Sequence, residues 1–139
     1  MINAKEINNA NQLIKLIGTV YKNIDGVRFA ISPNDVEKFL PYIKKASKKF
    51  KKVSFNINLM YLSKWFKDLQ FSKKILNKLK NQVDTISIVD SYGALQPNEI
   101  SNFVKKIKDK NLKLGCHFHN NCGLALANTL SAIDAGCVV

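Results

Sequence analysis

Arginine is almost missing from this chain. Of its 22 basic residues, 21 are lysine and the remaining one is Arg28, against 10 acids, for a net charge of +12. Surfaces that read nucleic acid use the bidentate fork of Arg and place aromatic rings for stacking, and neither pattern is present. Lys, Asn and Ile are over-used together, as in an AT-rich genome. The densest basic run, Lys44, Lys45, Lys48, Lys49, Lys51 and Lys52, falls at a helix end, where cations suit the dipole and the solvent. Nucleic acid is therefore not an expected partner.

Long apolar runs are also missing. None approaches the roughly 20 residues that a membrane span needs, so no membrane partner is expected. Met1 to Gly18 is polar and Asn-rich, without the apolar stretch of a secretion signal. The three cysteines, Cys116, Cys122 and Cys137, are an odd number crowded at one end. With no export signal they read as reduced thiols, and the expected location is the cytoplasm. What is present is ample: 139 residues, 46% of them hydrophobic, enough for one globular core.

Apolar spacing predicts a helix from about Ala4 to Val20, with Leu13, Leu16, Ile17, Val20 and Tyr21 on one side. Ser32-Pro33-Asn34-Asp35 reads as a helix start for a second helix reaching Phe50, kinked at Pro41. Further helices are expected from Phe71 to Lys80, from Pro97 to about Lys110 and from Gly123 to Ala135, with a short one near Trp65 and Gly136 as a C-terminal cap. Four strands lie between them: Val27–Ile31, Val53–Asn58, Thr85–Val89 and Leu114–His119, with Cys137-Val138-Val139 reading as the start of another. The four begin 26, 32 and 29 residues apart, and strict strand–helix alternation at that length means parallel strands.

An eight-unit barrel averages roughly 31 residues per unit, and a doubly wound open sheet is the alternative. Side-chain alternation decides between them. Val27, Phe29 and Ile31 oppose Arg28, Ala30 and Ser32; Val53, Phe55, Ile57 and Leu59 oppose Ser54, Asn56 and Asn58; Leu114, Cys116 and Phe118 oppose Gly115, His117 and His119. An open sheet covered on both sides would be apolar on both faces. One apolar and one polar face fit a barrel with helices outside and a site at the C-terminal mouth. The expected fold is thus α/β, a partial TIM barrel of about four parallel strands with helices on the outer face. Residues 1–139 are read as a single domain, the middle of a larger one, since four strands cannot close the ring. Open edges would then invite self-association.

His117-Phe118-His119, the only two histidines, stand at the end of the last strand, just before a helix start. Residues i and i+2 share a strand face with Cα atoms about 6.6 Å apart, so two imidazoles there can hold one metal ion or be two satisfied side chains. A metal site needs a further ligand, usually a carboxylate, with open positions for substrate oxygens. Asp90 is the acid best placed to support the site, although an Asp before Ser91-Tyr92-Gly93 equally suits a turn. Arg28 faces inward and suits a carboxylate or an interior ion pair. Asn58 shares the mouth, and Asn121 either orients a ligand or caps the last helix. Cys116 faces opposite to His117, which argues against a zinc knuckle.

Gly115-Cys116-His117-Phe118-His119-Asn120-Asn121-Cys122-Gly123-Leu124-Ala125, followed by Asn128, Ala132 and Gly136, resembles the DRE-TIM metallolyases, the HMGL-like superfamily. Asp90-Ser91-Tyr92-Gly93-Ala94-Leu95 resembles their loop after the fifth strand, and Gly26-Val27-Arg28-Phe29-Ala30 their third strand. The resemblance spans about strands three to six and is nearest in look to the 4-hydroxy-2-oxovalerate aldolases. It implies a divalent metal at His117 and His119, manganese first with magnesium or zinc as alternatives. It also implies cleavage of a carbon–carbon bond of a 4-hydroxy-2-oxo acid through a stabilised enolate, with Arg28 and Asp90 as catalytic residues, Asn58 and Asn121 at the substrate or behind the ligands, and a pyruvate-type product. An acyl-CoA-dependent condensing synthase and an inactive truncated fragment are the alternatives. The family's first-strand Arg-Asp pair, whose Asp is a metal ligand, has no counterpart here.

Overall fold

The computed structural model describes residues 1–138. Five parallel strands form one sheet in sequential order: β1 (Ile2–Asn3), β2 (Gly26–Ile31), β3 (Ser54–Leu59), β4 (Thr85–Asp90) and β5 (Leu114–Phe118). Helices α1 (Ala10–Val20), α2 (Val36–Lys49), α3 (Leu69–Leu79), α4 (Pro97–Ile107) and α5 (Ala125–Ala135) follow strands β1 to β5 in turn. This is a partial TIM barrel.

Register turns the alternation into layers. Ile2, Phe29, Ile57, Ile86 and Leu114 stand abreast across all five strands, with Ile31, Leu59, Ile88 and Cys116 forming the layer two residues above from β2 to β5. Leu13 and Ile17 of α1, Phe39 and Ile43 of α2, Ile75 and Leu79 of α3, and Ile100 and Val104 of α4 join these side chains in one core. Phe29 is fully buried, with the Phe39 and Phe55 ring centres 5.5 and 6.1 Å away. On the other face Asn3, Ala30, Asn58, Ser87 and Gly115 stand abreast. Val89 of that face is buried yet lies outside the apolar core.

Several expectations at element ends are corrected. The first helix does not begin at Ala4: Ile2–Asn3 is a strand, Ala4–Glu6 a 3-10 turn, and α1 starts after Asn9, whose side chain accepts from the Gln12 N–H. A capped start leaves no room for a longer helix. Of the apolar residues expected to pack, Leu16, Val20 and Tyr21 are exposed. Ser32 does not cap α2; Pro33–Asp35 forms a 3-10 turn, closed by Asp35 N–H donating to Ser32 O. Helix α2 continues through Pro41, which lies on its solvent side, where water replaces the missing donor. The short segment near Trp65 is a 3-10 turn, Leu62–Lys64. Helix α4 stops at Ile107, and α5 starts at Ala125 after a turn in which Gly123 has φ +72°. Cys137 and Val138 are not a strand, although Val138 N–H donates to Leu114 O, and Val139 lies outside the described residues.

Candidate functional site

The loops at the C-terminal ends of β3, β4 and β5 are tied together. Tyr61 N–H donates to Ser91 Oγ at 2.9 Å, and His119 N–H donates to Asp90 O at 3.2 Å. Gly93 closes the contact: its φ is +57°, and a Cβ there would stand 2.6 Å from His119 O and 2.8 Å from Asn121 N. Glycine alone gives both the left-handed turn and this approach.

Within that frame the two imidazoles meet. The His117 and His119 ring centres are 5.2 Å apart, at 76° to one another. His117 lies in register with Val89 on the polar face, and both rings are solvent-accessible. Partial burial first, then the charges of His119 and Arg28, lower the His117 pKa below its ordinary value. The ring is therefore neutral near neutral pH, with a lone pair free for a cation. Arg28 is exposed on the polar face in register with Asn56, one layer before Ala30 and Asn58 and two before Val89 and His117. Asn58 is 4% exposed on the polar face, between Ala30 and Ser87.

Two expected site residues take different places. Asp90 alternates with Ile86 and Ile88, pairs with Phe118 and is fully buried on the helix side of the sheet, not at the mouth with the histidines. Its Oδ2 accepts from Leu95 N–H at 2.9 Å, so its side chain shapes the loop that carries Gly93. Strand alternation at a strand's last residue is what turns it away. Capping of α5, one expected use of Asn121, belongs to Asn120, whose Oδ1 accepts from Ala125 N–H. Asn121 is exposed and meets Gly93 through its backbone.

Asn128 stands in the family motif quoted above, where the sequence assigns it no role. It is fully buried in α5, and its Nδ2 donates to Leu95 O at 2.8 Å, so Leu95 is held by Asp90 from one side and Asn128 from the other. The signal was an Asn directly after the apolar run 124–127 at the start of α5. Asp90 Oδ1 and Asn128 Oδ1 have no protein partner.

The donor set fits a divalent metal as two nitrogen ligands. Among the described residues no third His, Cys, Asp or Glu stands with them. Among the described residues no helix is long and apolar enough to cross a membrane.

Comparison with known proteins bears on family and fold. The HMGL-like family model matches residues 8–139. The 4-hydroxy-2-oxovalerate aldolases of Geobacillus thermodenitrificans and Chloroflexus aurantiacus are 44% and 46% identical over 54 residues, 38% of this chain and 16% of each relative. The N-terminal domain of a candidate aldolase from Bacteroides vulgatus superposes with a TM-score of 0.86 at 31% identity, covering 99% of this chain and 45% of that one. The carboxyl transferase domain of Rhizobium etli pyruvate carboxylase, at 21% identity and a TM-score of 0.75 over 94% of this chain and 23% of its own, shares the fold. The chain thus spans under half the length of each of these proteins. A model match over nearly the whole chain, together with His117-Phe118-His119 at the C-terminal end of β5, makes this chain a member of the HMGL-like family.

Proposed function

We propose that this chain forms part of a divalent-metal-dependent aldolase or lyase acting on a small 2-oxo acid, specifically a 4-hydroxy-2-oxo acid cleaved to a pyruvate-type product. The observation that carries the reading is the pair of imidazole rings 5.2 Å apart at the C-terminal ends of the strands, where barrel enzymes build their sites. His117 and His119 would hold the ion, and the chemistry it would supply when bound is polarisation of a keto group and stabilisation of negative charge developing beside it. Manganese is the metal the resemblance implies, with magnesium or zinc as alternatives. On two neutral nitrogens alone, zinc binds better than manganese or magnesium, which prefer oxygen.

The chain's own residues do the rest. Lowering of the His117 pKa keeps that ring unprotonated and available as a ligand. Arg28 offers a fixed cation to the substrate carboxylate, and a guanidinium grips a carboxylate through paired hydrogen bonds. Asn58, nearly buried on the polar face, offers an amide to a substrate oxygen. Asp90 acts through the backbone: its grip on Leu95 holds the loop whose Gly93 abuts His119.

Enolisation gives the test. Pyruvate in deuterated buffer with zinc or manganese should exchange its methyl protons faster with this chain than with the metal alone, and His117→Ala should remove the difference. Exchange no faster than with metal alone overturns the proposal.

A further inference from the structure

Asn128 is the one polar side chain among the buried residues of α5; the others are Ala132 and Ala135. Its Nδ2 makes a single hydrogen bond, to Leu95 O, and its Oδ1 has no protein partner. Stability alone does not favour such a group, because an orphaned buried acceptor carries a desolvation cost that an apolar side chain avoids. What the amide does provide is register: one donor that fits one carbonyl.

That register reaches His119 bond by bond. The segment from His119 to Asn128 carries the turn between β5 and α5, and both of its ends are fastened to the loop after β4. At one end His119 N–H donates to Asp90 O at 3.2 Å. At the other, Asn128 Nδ2 donates to Leu95 O at 2.8 Å. Asp90 and Leu95 are themselves joined, since Leu95 N–H donates to Asp90 Oδ2 at 2.9 Å. Between the two ends the turn is braced within itself: Asn120 Oδ1 accepts from Ala125 N–H, and Asn120 O from Gly123 N–H. The bonds close a ring. Gly93 lies inside it against His119 O, with no room for a Cβ, so a shift of the loop is passed on to His119. In the sheet β5 pairs with β4 alone, so this ring, and not a second neighbouring strand, fixes the end of β5.

We propose that Asn128 is a positioning residue for the histidine pair: by tying α5 to Leu95 O it holds the His119 imidazole where it can share a divalent metal with His117. The inference rests on the histidine pair being a metal site. Asp90 serves the ring through its backbone carbonyl as well, whereas Asn128 reaches Leu95 through its side chain and is open to substitution.

The probes are zinc alone, titrated into this chain by calorimetry, and cobalt alone, read by its visible absorption. Asn128→Leu keeps a branched side chain and removes the donor; Asn128→Ala, which cannot overpack, is the second variant if the first does not fold. Ser72→Ala is the control, since Ser72 is also fully buried but bonds to Trp65 O and Asp68 O, outside the ring. Zinc affinity in the folded Asn128 variant should fall on the order of tenfold, as for other residues that orient metal ligands. Its cobalt spectrum should change as well, and Ser72→Ala should keep both readouts at the wild-type value. Wild-type zinc affinity with an unchanged cobalt spectrum in a folded Asn128 variant overturns the inference. An equal loss in Ser72→Ala overturns it too, because loosening the fold anywhere would then have the same effect. His117→Ala reports on the underlying reading separately: zinc binding as tight as in the wild type, or none in the wild type, refutes the metal site itself.

Discussion

Replacing Gly93 by alanine tests how the mouth is held together. At φ +57° an L-residue pays about 1–2 kcal/mol for the left-handed turn. The added Cβ would also meet His119 O at 2.6 Å, Asn121 N at 2.8 Å and His119 C at 2.9 Å. All three are backbone atoms, so no side chain can swing aside, and overpacking of this kind costs about a further 1–3 kcal/mol. The loss, about 2–5 kcal/mol in all, is a large share of the roughly 5–15 kcal/mol by which domains are stable. Gly123 supplies the control. Its φ is +72°, yet a Cβ there has nothing within 4 Å, so Gly123→Ala should cost only the dihedral part, about 1–2 kcal/mol. Urea denaturation of both variants measures the difference, and a zinc titration shows its functional side. Gly93→Ala pushes His119 away from His117 and should weaken zinc binding, whereas Gly123→Ala should not. Equal destabilisation of the two variants, or wild-type zinc affinity in Gly93→Ala, refutes the close-contact argument.

Asp90→Ala should cost about 1–3 kcal/mol in urea denaturation, because it leaves the buried Leu95 N–H without an acceptor; a neutral effect would show that the carboxylate does not hold the loop. For His117 the sign runs one way: its folded pKa lies below the ordinary 6.5, so the unfolded chain takes up more protons as pH falls. The stability tied to the neutral ring is full above about 6.5 and is lost as pH falls through the lowered folded value, which an NMR titration of the two imidazoles reads directly; a His117 midpoint above 6.5 contradicts it. Phe29→Ala should cost about 3–5 kcal/mol, since Phe29 is fully buried between two other rings, and a loss below 1 kcal/mol would mean the core collapses around the gap.

The alternation of β2, β3 and β5 was legible because each carries a polar face next to an apolar one, whereas β4 ends on Val89 and Asp90, which reverse the pattern; the helices declare themselves through spacing and caps. Strand β1 was not, because Ile2 and Asn3 are too few to show a period and pair only through long-range contact with Phe29 and Ala30. His117 and His119 were legible from their spacing, and their rings do meet. The direction of Asp90 was not, since the residue at a strand's end belongs to whichever face the register assigns, and that register is set by Phe118 on the neighbouring strand. Asn120 and Asn121 differ by one position, and only the turn at Gly123 decides which side chain reaches Ala125. The left-handed turn at Tyr61 leaves no trace in the sequence, because a tyrosine carries no signal for positive φ.

The account stands most directly on His117 and His119 acting as one donor pair. Zinc titration of this chain by calorimetry, beside His117→Ala and His119→Ala, measures that. One zinc per chain should bind to the wild type, and each single variant should lose most of the affinity, since one imidazole is a poor site by itself. Wild-type zinc affinity in either variant, with the fold intact by circular dichroism, contradicts a shared metal site at the mouth.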